Sequence, residues 1–73
     1  MGGARLLEVR ERGGLYDAKV IVELGGRTLV VTVSRLVRKP VGVRVDEEDG
    51  RKVIHFVDEK GEVFACTLAL ESG

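Results

Sequence analysis

Gly25 and Gly26 sit between two runs of β-branched residues, and no other feature restricts the fold of this chain as much. The segment reads Leu15-Tyr-Asp-Ala-Lys-Val-Ile-Val-Glu-Leu24, then the glycine pair, then Arg27-Thr-Leu-Val-Val-Thr-Val-Ser34. A two-residue hairpin turn needs positive φ at both central positions, which glycine adopts without strain. Taking the pair as that turn sets Leu24 opposite Arg27, Val22 opposite Leu29, Val20 opposite Val31 and Ala18 opposite Val33. These residues share one apolar face. Lys19 with Thr32, Ile21 with Val30 and Asp17 with Ser34 occupy the other.

Gly13-Gly14 repeats the device one strand earlier. With Arg12 facing Leu15, Val9 meets Ala18 and Leu7 meets Val20, extending the same inner face. Outside, Glu8 meets Lys19 and Arg10 meets Asp17, two opposite-charge pairs that support the register without having defined it. The first strand therefore runs from Arg5 to Arg12, with residues 1–4 read as a frayed end.

The third strand loses its alternation at Ser34, and Arg38-Lys39-Pro40 interrupts it. Proline cannot donate to a ladder, so the chain is expected to bend near 38–40. One helical turn capped by Ser34 is the competing reading.

Val41, Val43 and Val45 alternate with Gly42, Arg44 and Asp46, which makes a fourth strand. A four-residue loop from Glu47 to Gly50 would set Val43 against Ile54, Val41 against Phe56 and Gly42 against His55. Glu59-Lys60-Gly61 reads as a three-residue loop with glycine in the left-handed region, setting Phe56 against Phe64 and Ile54 against Cys66. The expected inner set is Val20, Val31, Val43, Ile54, Phe56, Phe64 and Leu68.

The fold expected is all-β: six short antiparallel strands, as two three-stranded meanders, forming a small barrel, roll or sandwich. The 73 residues make one domain near the lower size limit for a chain without a disulfide framework or metal. A single cysteine excludes an internal disulfide, and no apolar run approaches the length of a membrane span. The default expectation is a cytoplasmic protein with no cofactor and no membrane partner. Asn, Gln and Trp are absent while a third of the residues are charged, a composition expected of a thermostable or a designed chain.

Enzyme chemistry finds little to work with, and the expectation is a non-enzyme. His55 is the only histidine, which rules out a multi-histidine metal site within one chain. The expected register sends His55 and Cys66 to opposite faces, against a nucleophile pair. Asp46-Glu47-Glu48-Asp49 lacks the alternating ligand spacing of a calcium loop. No glycine-rich segment opens a helix, as a phosphate loop would.

Two readings of function remain. Some apolar residues fall on the outer faces: Leu6, Ile21 and Val30 in the first meander, and Val53, Val57, Val63 and Ala65 in the second. Contiguous groups of this kind suggest burial against another subunit or a protein partner. The alternative is RNA or single-stranded nucleic acid bound by Arg35, Arg38, Lys39 and Arg44, with Tyr16 as a stacking surface beside Arg35. Residues 1–45 carry nine basic and four acidic side chains and residues 46–73 carry three and eight, giving +5 against −5. The net charge of zero argues against a dedicated nucleic-acid domain.

Overall fold

The computed structural model describes residues 3–69. Six antiparallel strands form two meanders: β1 (Gly3–Arg12), β2 (Leu15–Leu24) and β3 (Arg27–Leu36) make sheet A, while β4 (Gly42–Glu48), β5 (Arg51–Val57) and β6 (Val63–Ala69) make sheet B. No described residue is helical, and Val37 to Val41 is a bend rather than a helical turn. Gly3 and Ala4 belong to β1, so the frayed segment expected there does not include them. β1 lies along β4, whereas β3 and β6 approach each other only slightly, and the two sheets do not close into a continuous ladder.

One core joins both sheets. Ala18, Val20, Val22 and Leu24 alternate along β2 and are buried, together with Leu36, Ile54 and Phe56. Val31, Val43 and Phe64 pack against this cluster from partly exposed positions. Burying each large aliphatic side chain completely contributes about 1.5–3 kcal/mol, so the alternation along β2 is the main term tying the meanders together.

The β2–β3 hairpin has the expected register from Leu24↔Arg27 to Ala18↔Val33. Gly25 and Gly26 both have positive φ, 53° and 80°, as the two-residue turn demands. Beyond Ala18 the ladder shifts, and Tyr16 pairs with Leu36 instead of lying across from Arg35. Asp17 thus faces two residues, Ser34 and Arg35, rather than Ser34 alone. Arg35 holds φ at 63°, and its N–H donates to Asp17 Oδ1 at 3.4 Å. That carboxylate caps the bulge.

Along β1 the pairs Val9↔Ala18, Glu8↔Lys19 and Arg10↔Asp17 match the expectation, but Leu6 rather than Leu7 meets Val20. Leu7 is the extra residue of a bulge and is 52% exposed. The physical reason is Arg5. An unbroken ladder would place it opposite Val22 on the inner face, whereas the bulge puts Ala4 there and Arg5 opposite Ile21. A charged side chain is kept out of the core at the cost of one unpaired position.

Sheet B departs further from the expected pairing. Asp49 and Gly50 form a two-residue turn, with φ of 52° and 76°, in place of the four-residue loop. Val43 therefore meets Phe56, Val45 meets Ile54, and Gly42 meets Val57. The shift is two residues, so inner and outer faces are unchanged. It also brings Glu47 opposite Lys52 and Glu48 opposite Arg51, pairings that the longer loop would forgo.

The three-residue loop at 59–61 forms as expected: the Asp58 N–H donates to the Glu62 carbonyl at 2.9 Å, and Gly61 has φ of 80°. Immediately beyond it, Phe64 is bulged out of register. Phe56 consequently faces Ala65 rather than Phe64, and Ile54 faces Thr67 rather than Cys66. Setting a small residue beside the fully buried ring of Phe56 avoids two aromatic side chains competing for one site. Cys66 and Leu68 turn outward as a result, and Leu68 is 43% exposed rather than part of the core.

Candidate functional site

The bulges decide which apolar residues reach the outer surface of each sheet. On sheet A, Leu6 faces inward with Val20, while Ile21 and Val30 remain paired on the outside, Val30 at 57% exposure. On sheet B, Ala65 faces inward and packs against the core, so it leaves the expected outer group. Leu68 takes its place, paired with Val53, and Val57 pairs with Val63. The outer face of sheet B thus carries Val53, Val57, Val63 and Leu68 around the central row of Arg44, His55 and Cys66.

Val53 is the unusual member. It is only 7% exposed, yet it lies outside the core cluster. Its neighbours across the ladder, Asp46 and Leu68, share its outer face. β5 is therefore shielded on both faces, whereas β2 is buried on one.

His55 and Cys66 are direct cross-strand partners on this outer face, contrary to the opposite faces expected from an unbulged β6. The His55 Nε2 lies 3.2 Å from Asp46 Oδ2 and 3.4 Å from Glu48 Oε2. Asp46 and Glu48 stand two residues apart on β4 and so project from the same side. That nitrogen is directed to carboxylates, and His55 pairs with Arg44 on β4, Gly42 lying opposite Val57 instead. Among the described residues no group of three or more His, Cys, Asp and Glu is arranged to hold a metal ion.

The basic residues do not gather into one free surface. The Arg38 guanidinium donates to Asp58 Oδ2 at 2.8 Å and lies 4.0 Å from Glu62. Tyr16 packs against the core rather than standing free beside Arg35. Lys39 borders an open cleft with Arg38, Asp58, Glu59 and Lys60, whereas Arg44 belongs to the outer row of sheet B. Arg35 is exposed, with its backbone held by Asp17.

Asp58 is the residue that sequence reasoning passed over. Its side chain is buried and receives the N–H of Lys60 at 2.9 Å and of Glu62 at 3.0 Å, besides the Arg38 guanidinium. The N–H of Glu62 is the main cause that holds its carboxyl below the usual carboxylate range. Partial burial opposes this, and Arg38 and the Lys60 N–H reinforce it. The legible signal was an aspartate just before a Glu-Lys-Gly turn, the position from which its oxygens reach backbone donors two and four residues on. Its contacts are those of a clasp, fastening the bend at Arg38 to the β5–β6 turn.

No protein-family model, curated protein or solved structure matches this chain. Among the described residues there is no helix long and apolar enough to cross a membrane.

Proposed function

We propose that this chain is a small association module, binding further copies of itself through the outer face of sheet B. The observation that carries the reading is burial on both sides of β5. Val53 is shielded on the outer face, while Val63 at 45% and Leu68 at 43% exposure extend that apolar patch into solvent. A small domain has little stability to spare, and covering such side chains adds roughly 1.5–3 kcal/mol for each one fully buried. The same patch on a second copy satisfies two-fold symmetry.

Sedimentation equilibrium tests this on the native chain and on Val57→Glu with Val63→Lys. These two positions face each other, so the introduced charges complement each other within one chain. A native species heavier than one chain, and a lower mass for the double variant, are the expected results. A native protein that remains monomeric at high micromolar concentration overturns the proposal. Adding a mixed oligonucleotide pool covers the basic segment: binding that falls steeply with salt would replace association with nucleic-acid recognition.

A further inference from the structure

Each sheet leaves two strand edges, and three of the four carry features that discourage pairing. β1 has Arg5, Glu8, Arg10, Glu11 and Arg12, a bulge at Leu7, and β4 alongside it. β4 carries Arg44, Asp46, Glu47 and Glu48 within seven residues. β6 is uncharged from Val63 to Ala69 but is broken by the bulge at Phe64. Charges, bulges and short length are the devices that blunt an edge.

β3 has none of them along its middle. Thr28-Leu-Val-Val-Thr-Val33 contains no charge, proline or glycine, and its ladder is regular until the bulge at Ser34 and Arg35. The strand borders the side of the molecule where the sheets approach least. In a two-residue hairpin the closing pair, here Leu24 and Arg27, exchanges both backbone hydrogen bonds. Alternation then turns the N–H and C=O of Thr28, Val30 and Thr32 away from β2, toward the open edge. Val30 stands at the centre of these three and is 57% exposed.

We propose that the β3 edge pairs antiparallel with the β3 edge of a second copy, about a two-fold axis at Val30. This rests on the reading of the chain as an association module and names the edge at which two copies join. Val30 then faces its counterpart, Thr28 faces Thr32 of the second copy, and Leu29 faces Val31. All outward backbone groups from 28 to 32 find partners. Leu29 and Val31, partly exposed on the inner face, are brought together across the boundary. The charges at the ends choose this register. An axis at Val31 would set Arg27 opposite Arg35, a like-charge pair, whereas the axis at Val30 sets Arg27 opposite Val33 and leaves Arg35 beyond the pairing. Two three-stranded sheets become one of six strands, and the outer face of sheet B is left to join such pairs to one another.

The experiment is carried out in the Val57→Glu, Val63→Lys background, which removes the sheet B patch. That protein is expected to sediment at twice the chain mass, and adding Val30→Lys should halve it by placing two ammonium groups at the axis. Val30→Pro should do the same, since it deletes an N–H that points away from β2. Far-UV circular dichroism of both variants should remain that of a β protein, and Val30→Lys keeps the test decisive if the proline variant unfolds. Thr28→Lys with Thr32→Glu should retain the dimer, because each new charge then faces its opposite on the second copy; dissociation there overturns the register at Val30. Amide exchange at Thr28, Val30 and Thr32 should slow as concentration rises. A background protein that is already monomeric, while the native chain is not, overturns the edge pairing and leaves association through sheet B standing. A dimer untouched by Val30→Lys overturns it equally, and a native monomer overturns both.

Discussion

Sheets A and B contribute to the same core in opposite ways. Sheet A supplies a row of small and medium side chains, Ala18, Val20, Val22 and Leu24, at alternate positions of one strand, with its reverse face wet. Sheet B supplies the two bulkiest fully buried side chains, Phe56 and Ile54, from a strand shielded on both faces. A row of mostly short side chains accepts larger ones from the opposing layer, so the two halves interdigitate instead of mirroring each other. The difference explains why a meander repeated twice in outline does not repeat in its residues. Exposed apolar side chains remain on both sheets, Leu7 and Val30 on sheet A and Val63 and Leu68 on sheet B. Only on sheet B do they adjoin a central strand whose outer face is already shielded at Val53.

The largest expected effect breaks this division at its bulky end. Phe56→Ala should cost about 3–5 kcal/mol, the range for truncating an aromatic side chain in a core. Val20→Ala, equally buried but smaller, should cost roughly 2 kcal/mol from two lost methyl groups and the space they leave. Urea denaturation of the two variants measures the ratio. Equal losses would mean that sheet A, not sheet B, fills the volume between the layers.

A smaller effect separates the two turns of sheet B. The Asp49-Gly50 turn is held by backbone geometry, whereas the turn after β5 is held by the Asp58 carboxylate. Because the folded state lowers the pKa of Asp58 from an unfolded value of about 3.9, the unfolded chain takes up the proton more readily. Its contribution to stability is complete above about pH 4 and is lost as pH falls through the lower folded value. Asp58→Asn should reduce the thermal midpoint at pH 7 by less than Phe56→Ala does, and should flatten the fall in midpoint below pH 4. An acid limb parallel to that of the native protein would show that the clasp does not depend on the charge.

How far the sequence could be read differs between the sheets for a physical reason. In sheet A the Gly-Gly pairs define turn length, turn length defines register, and every pair from Leu24↔Arg27 to Ala18↔Val33 follows. In sheet B the turn lies within Asp46-Glu47-Glu48-Asp49-Gly50, where runs of acids suit a loop as well as a strand end. Only the facing Lys52 and Arg51 distinguish the two lengths. All-β class, strand number and most of the core survive such a slip, since a shift of two preserves the faces. Bulges do not leave faces intact. They moved Leu6 and Ala65 inward and Cys66 and Leu68 outward, so the candidate surface was only partly legible. Arg5 carries a readable warning in β1, because an unbroken ladder would bury it. β6 offers only the coincidence of two phenylalanines at facing positions.

The smallest effect sharpens the comparison at β1, where two adjacent leucines exchange roles. An unbulged strand would place Leu7 against Val20 and leave Leu6 on the surface. The structure reverses this: Leu6 packs against the core, and Leu7 is half exposed at the bulge. Leu6→Ala should therefore cost about 1–2 kcal/mol, the loss of partial burial of a large aliphatic side chain. Leu7→Ala should stay within about 0.5 kcal/mol, as ordinary surface substitutions do. The two variants have the same composition and differ by one position, so propensity and unfolded-state effects nearly cancel between them. Denaturant midpoints compared at equal m-values isolate the burial term. A reversed order would restore the unbroken ladder and send Arg5 inward opposite Val22. A third change then becomes informative: Arg5→Val should be nearly neutral while Arg5 faces out beside Ile21, and stabilising if the guanidinium has to be accommodated within the core.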